Sequence, residues 1–432
     1  MLVRKEWREL LVSRAWWVLF FFIGPLVGVT FIGAVRIYAE ASGLGGTSTG
    51  VGEAFSPLDG IWVPTFVAYE IAATFLLPFV AIRVITGDRQ SGALKLELQH
   101  PMSPLSRIAA KALVLFAGWC LAGIPAVVAC ILWKLYGGSM YLPELASVGL
   151  GHLLNAGLTI ALAAAVASIA ENPSTAAILV LSFTVGTWIL GFVASLRGGL
   201  WERIAGFTPE AMLDRFQHGL IQLGTALVAL VFIVIALAVA ALWIRLGVSR
   251  PRRTLESACA VAVAAILVVA CAFVRPSWDV SENRRNSFPE ADEEALSQIK
   301  GPLSIEVHLA PEDPRRFDLE HQALSKLRRA MPSLKVSYVS ATSIGLFEQA
   351  GSGYGEIRYD LGGKQVMSRL VTAEAVLETI YGLAGVTPPQ ENEPAFAGHP
   401  LVAEPKGAAA ILYGFWPAAV LGLAFLMLRR KT

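Results

Sequence analysis

The sequence predicts a polytopic α-helical membrane protein of about eight transmembrane helices, with a small extracytoplasmic α/β domain of βαβ–ββα order. Three observations predict it. Hydrophobic residues make up 55% of the 432 residues and charged residues only 16%, with a mean hydropathy of +0.58; ordinary soluble domains carry about 25% charged residues. Apolar runs near the ~20 residues needed to cross a bilayer core recur at 15–35, 62–84, 109–133, 146–170, 175–196, 220–244, 255–274 and 408–428. A polar stretch, 275–407, separates the last two and patterns as strands and helices. The net charge of +2 says little, because in a bilayer the placement of charge outweighs its sum. No block of basic residues interleaves with aromatics, so no nucleic-acid partner is expected.

Residues 1–14 read as an interfacial helix, with Trp7, Leu10, Leu11 and Trp16 on one face and Arg4, Lys5, Arg8 and Glu9 on the other. The apolar run that follows continues to Val35 without a small-residue cleavage site, which predicts a retained first span rather than a removed signal. Residues 15–250 hold six spans, the fourth and fifth parted only by Glu171–Ser174 with Pro173 as helix breaker. A seventh span fills 251–274, the α/β domain 275–385, a Pro- and Glu-rich tether 386–407, and an eighth span with a basic tail 408–432. Sixteen Lys and Arg fall at one membrane side and five in the short loops at the other. The positive-inside bias then puts both termini in the cytoplasm and 275–407 outside. An even number of spans gives the same answer. The expected location is the cytoplasmic (inner) membrane of a bacterium.

Between the second and third spans lies a polar loop at 86–108, most of it within "GDRQSGALKLELQHPMSPLSRIAAK" (87–111). Gly87 and Gly92 open it, "ALKLELQ" is rich in helix formers, Pro101 stops it, and Ser103 or Ser106 can cap the third span with Pro104 in its first turn. Charges on such a helix must face water or a protein partner; a solvated loop with helical content is the plainer alternative. The segment resembles the signature loop of type-2 ABC transporter permeases, on Asp88, Arg89, Gly92, Leu94, Leu96, Pro101, Ser103, Arg107 and Lys111. The N-terminal helix with Lys5, Glu6 and Trp7, and the six spans up to residue 246, are similar to that family too. Gln99–His100 departs from its usual pattern. The resemblance implies that the loop, with Glu97 on its helix, and the N-terminal helix dock on a P-loop ATPase subunit. It also implies a second permease copy or homologous permease, and ATP and Mg on the partner ATPase. No cofactor is expected on this chain, which has no G-x-x-x-x-G-K-[ST] to cradle phosphates.

In the outer domain "LSIEVHL" (303–309) alternates as a half-buried strand, 314–331 has helical spacing, and "LKVSYV", "GEIRYD" and "KQVMSRL" read as further strands. Gly362–Gly363 is a two-residue hairpin turn; Thr372 caps a last helix that Gly385 ends. A right-handed crossover makes the first two strands parallel neighbours. The run from Asp279 through Ser281, Glu282, Asn283 and Arg284 to Phe288, Leu296 and Ile305 resembles the start of the extracytoplasmic domain of gliding-motility ABC auxiliary proteins. That likeness, over about 275–385, points to the gliding-motility or copper-enzyme-maturation permease type, and relatives are longer.

Few residues in the spans carry chemistry. Glu70 is costly in a bilayer and becomes a transport-pathway candidate by default, an interfacial ion-paired carboxylate being the alternative. His152 and Asn155 share a face and read as pathway candidates or as an interhelical hydrogen bond. A lone His predicts no metal site. The segment 199–219 reads as one or two interfacial helices, either an anchor or an outer gate. Cys120, Cys130, Cys259 and Cys271 sit in apolar runs and read as interface fillers. The acidic run Glu290–Ala295 suits a helix N-terminus. No catalytic constellation is present, and the resemblance to type-2 ABC permeases implies a non-enzymatic permease subunit of an ATP-driven exporter, in contact with membrane lipid and a periplasmic protein. The alternative is a scaffold that passes ATPase work outward without cargo.

Overall fold

The computed structural model describes residues 2–44, 55–90, 102–170, 172–245, 247–299, 301–339, 353–389 and 396–429. Two compact units result: Met1–Trp188 with Phe207–Val280 and Ala397–Thr432, and Ile189–Gly206 with Ser281–Phe396.

Among the described residues of the chain, eight helices are long and apolar enough to span a membrane. Helix α1 (Leu2–Val12) occupies the stretch expected to be interfacial, and α2 (Arg14–Leu44) is the first candidate span. The second span begins with a π-helical turn at Leu58–Trp62 and continues as α3 (Val63–Phe75) and α4 (Leu77–Gln90). Pro78 has no N–H to give and its ring crowds the preceding turn, which accounts for the break at Leu76. The third span is likewise two helices, α5 (Pro104–Ala122) and α6 (Ile124–Leu135), with Pro125 just past the joint. Ala122 C=O and Ala126 N–H are an i→i+4 pair; the Tyr69 hydroxyl sits between them, donating to one and accepting from the other at 3.1 Å each. A side chain inserted into the ladder holds the kink open.

The remaining spans are α7 (Leu142–Ile169), α8 (Pro173–Arg197), α11 (Leu223–Trp243), α12 (Arg250–Ala272) and α17 (Trp416–Arg429 after a π-helical turn at Ala410–Phe415). Two short helices, α9 (Leu200–Ala205) and α10 (Pro209–Gln217), precede a strand β1 (Leu220–Gln222), which pairs antiparallel with β2 (Ser277–Asp279). Helix α17 seats on α2 through two glycines one turn apart. A Cβ on Gly24 would lie 2.1 Å from the Trp416 ring and one on Gly28 2.5 Å from Tyr413. Trp416 Nε1 donates to Phe20 O at 2.9 Å. Close backbone approach at a small-x-x-x-small pair is how spans associate where lipid removes the hydrophobic drive.

Part of the expected tether is pinned: Tyr38 OH donates to His399 O at 2.6 Å, and Leu401 N–H to Ser42 Oγ at 2.9 Å. Cys120 and Cys259 are exposed and Cys130 and Cys271 half-buried, so the first two fill no helix interface within this chain.

The second unit contains α13 (Glu290–Gln298), β3 (Leu303–Val307), α14 (Pro314–Leu319), α15 (Ser325–Ala330), β4 (Lys335–Tyr338), β5 (Ile357–Leu361), β6 (Lys364–Ser368) and α16 (Ala373–Ala384). The sheet order is β4-β3-β5-β6. Strands β3 and β4 are parallel, and β3–β5 and β5–β6 antiparallel. Leu303, Ile305 and Val307 are fully buried against Leu324, Leu327, Val376 and Ile380, so alternation in the strand and helical spacing in the helices meet in one core. Gly362 and Gly363, at φ 60° and 87°, make the β5–β6 turn, and Gly385 ends α16 at φ 69°. Thr372 stands at the N-cap of α16, but its side chain makes no capping bond.

Candidate functional site

Among the described residues, two polar clusters in the first unit interrupt the apolar bundle. The first lies at the basic end. Glu6 of α1 turns inward and its Oε2 meets Lys111 Nζ of α5 at 2.7 Å; the side chains are 1% and 5% exposed. Arg107, one turn earlier on α5, is buried as well. Lys5 pairs outside with Glu9 at 3.4 Å. The joint is close: a Cβ on Gly118 would stand 2.9 Å from Leu10 and 3.2 Å from Trp16, so α1, α2 and α5 meet at that glycine. Trp7 packs on the same core. Ser103 caps α5, its hydroxyl accepting from Ser106 N–H at 3.1 Å.

Lys5, Glu6, Trp7 and Ser103 are therefore placed around the start of the third span. Asp88 and Arg89 lie in the last turn of α4. Gly92, Leu94, Glu97 and Pro101, and with them the expected helix of the coupling loop, fall outside the described residues. Sequence reasoning missed the role of Lys111 as the partner of Glu6, since nothing in the local pattern links positions 105 residues apart.

The second cluster is at mid-span. Gln217, the last residue of α10, donates through Nε2 to Glu70 Oε1 of α3, and the same nitrogen lies 3.3 Å from His152 Nε2 of α7. The His152 ring packs on Phe66 at 5.0 Å and on Tyr69 at 6.3 Å between centroids. Helix α10 reaches this depth because α7 makes room: a Cβ on Gly151 would lie 2.6 Å from Phe216 Cβ, and Ser147 Oγ donates to Phe216 O at 2.8 Å. Thr208 caps α10 at its N-terminal end, and Arg215 Nη1 donates to Thr225 Oγ1 at 2.7 Å. Burial, with Asp214 nearby, raises the pKa of Glu210 above the ordinary carboxylate value. Burial lowers that of Arg215.

Glu70 and His152 are thus brought together, through a glutamine that sequence reasoning left out. Asn155 is half-buried on α7 and stands outside this network. The segment 199–219 is two helices, of which α10 is wedged into the bundle rather than laid on it. Chemically, the cluster can hold a carboxylate in a low-dielectric interior and can open if α10 withdraws. The basic-end cluster can make α1 and α5 move as one body.

A family model described as ABC-2 family transporter protein matches residues 1–218. The chain belongs to that family. Both clusters fall inside the matched residues. An ABC-2 permease is the membrane subunit of a transporter whose ATPase lies on a partner chain, in keeping with the missing P-loop. No curated protein and no solved structure matches the chain significantly.

Proposed function

We propose that this ABC-2 permease is the export subunit of a bacterial inner-membrane transporter, with its termini in the cytoplasm and residues 275–407 outside. The observation that carries the mechanism is the buried Glu6–Lys111 pair. It ties α1 to the first helix after the 86–108 loop, so a push delivered to that loop by an ATPase closing on ATP and Mg moves α1, α5 and, through Gly118 and Trp16, α2 together. Glu6 acts as an internal clamp, and Lys5, Asp88, Arg89 and the 91–101 segment offer the docking surface. At mid-span, α10 serves as an outer gate latched by Gln217 to Glu70 and His152; its withdrawal exposes a carboxylate and an imidazole to the pathway. The outer α/β unit, of the gliding-motility auxiliary type, receives cargo or binds a periplasmic protein.

A second reading is supported by the same latch. Glu70 bonds to a protein side chain within an apolar bundle, and a scaffold that transmits ATPase work outward without cargo needs only that. The docking test is common to both. The full chain is purified from its native membrane beside an Arg89→Glu/Leu94→Asp variant. A P-loop ATPase that co-purifies with the first and is lost with the second supports coupling through the loop. Absence of an ATPase from both sinks it.

A further inference from the structure

A cavity of about 1070 Å³ opens at the basic end of the first unit, between α1, the start of α2, the end of α4 and the start of α8. It is as large as the upper end of small-molecule sites, roughly 1,000 Å³. Three arginines on three different helices line it: Arg8, Arg14 and Arg83. All three are exposed, and none is paired with a carboxylate among the described residues. Among the described lining residues the one carboxylate, Glu9, is paired with Lys5. These features favour an anion carrying more than one charged or polar oxygen.

The floor is different. Phe79, Ile82 and Ala177 make it apolar. Phe79 is exposed on α4, and the apolar surface continues along the spans through the exposed Val18 and Phe22 of α2 and Ile178 of α8. A soluble phosphate would satisfy the arginines and leave this floor and the apolar strips beyond it uncovered. An amphiphile with an anionic head satisfies both, with its chains laid along the exposed span faces. Basic pockets between spans at a cytoplasmic surface suit such head groups, each Arg near the membrane being worth about fivefold in affinity.

We propose that this cavity is a binding site for an anionic phospholipid, held by its phosphate on Arg8, Arg14 and Arg83. The site lies beside the α1–α5 clamp, so an occupant bridges α1, α2, α4 and α8 and steadies the surface on which an ATPase would dock. It does not depend on whether the bundle conducts cargo.

The test uses the full chain in neutral detergent, with retained lipid read by native mass spectrometry. Phosphatidylglycerol is titrated against phosphatidylcholine, with glycerol phosphate as the soluble-anion arm. Arg8→Gln/Arg14→Gln/Arg83→Gln removes the charge. Arg4→Gln/Arg252→Gln removes charge elsewhere, and an all-Lys version of the three keeps it. Expected are preferential retention of phosphatidylglycerol, roughly hundredfold weaker retention in the Gln triple variant, and retention kept in the all-Lys and Arg4/Arg252 variants. Displacement by millimolar glycerol phosphate would reassign the site to a soluble anion. Equal loss in the Arg4/Arg252 variant, or no loss in the triple variant, would overturn it. So would unchanged phosphatidylglycerol retention in a triple variant that loses a co-purifying ATPase, which would make the arginines a protein-docking surface.

Discussion

Glu6 and Lys111 are separated by 105 residues of chain and joined at 2.7 Å, both buried. A buried pair adds little net stability over an apolar replacement, yet removing one partner strands the other charge at a cost of about 3–5 kcal/mol. Lys111→Met is therefore expected to lower the thermal midpoint of the purified chain sharply, while Glu6→Gln/Lys111→Met recovers most of the loss; thermal unfolding in detergent measures both. Asp313 makes a different kind of residue-scale prediction. It caps α14 through Arg315 N–H at 2.9 Å, pairs with the Arg315 guanidinium at 2.8 Å and accepts from Tyr354 OH at 2.7 Å. Arg315 first, then Tyr354, hold its pKa down to about 2 from 3.8. A depressed folded-state value means that its contribution is complete above pH ~4 and vanishes as pH falls through about 2. The protection of the Arg315 amide against hydrogen exchange, taken relative to its intrinsic rate at each pH, is expected to fall in the full chain over that window. Asp313→Asn should show fast exchange already at neutral pH, with no acid step.

At the scale of elements, glycines decide which helices touch. Gly24 and Gly28 receive Trp416 and Tyr413, and no side chain larger than hydrogen fits at either position without moving a ring. Gly24→Val is expected to cost roughly 1–3 kcal/mol and to release α17 from α2. Loss of a disulfide cross-link engineered between the two helices away from the contact reads that release; cross-linking at the native rate would refute the seating. The spacing Gly24-x-x-x-Gly28 stands in the sequence and was a usable signal for this contact, as was Gly151 for α10. Spans and strands were legible because a bilayer demands long apolar runs and a half-buried sheet demands alternation. Leu303, Ile305 and Val307 show it in the second unit. What was not legible is pairing across distance. Gln217 ends an amphipathic helix whose pattern places Met212 and Phe216 inward, but nothing local says that its amide meets Glu70. Nor does anything local say that Glu6, grouped with Lys5 and Trp7 on the expected docking helix, meets Lys111. Breaks within spans fell between these cases. Pro78 and Pro125 mark them, while the Tyr69 hydroxyl that holds the second one open comes from another helix.

For the molecule as a whole, the open choice is between a conducting bundle and a transmitting one, and the Gln217 latch separates them. A conducting bundle must admit water past α10 once the ATPase partner binds ATP; a transmitting bundle keeps its interior dry through the cycle. Asn155 is a suitable reporter, half-buried on α7 three residues from His152 and outside the latch itself. In a chain with Cys120, Cys130, Cys259 and Cys271 replaced, Asn155→Cys can be offered a membrane-impermeant maleimide from outside. If the bundle conducts, labelling should be slow at rest and rise with Mg and ATP on the partner. Gln217→Ala should raise the resting rate roughly tenfold, since losing about 1.4 kcal/mol of latch stability shifts a closed–open equilibrium by that factor. If the bundle only transmits, neither nucleotide nor Gln217→Ala will change labelling, while Lys111→Met will still uncouple ATP hydrolysis from movement of the outer unit, because the α1–α5 clamp lies upstream of both outcomes.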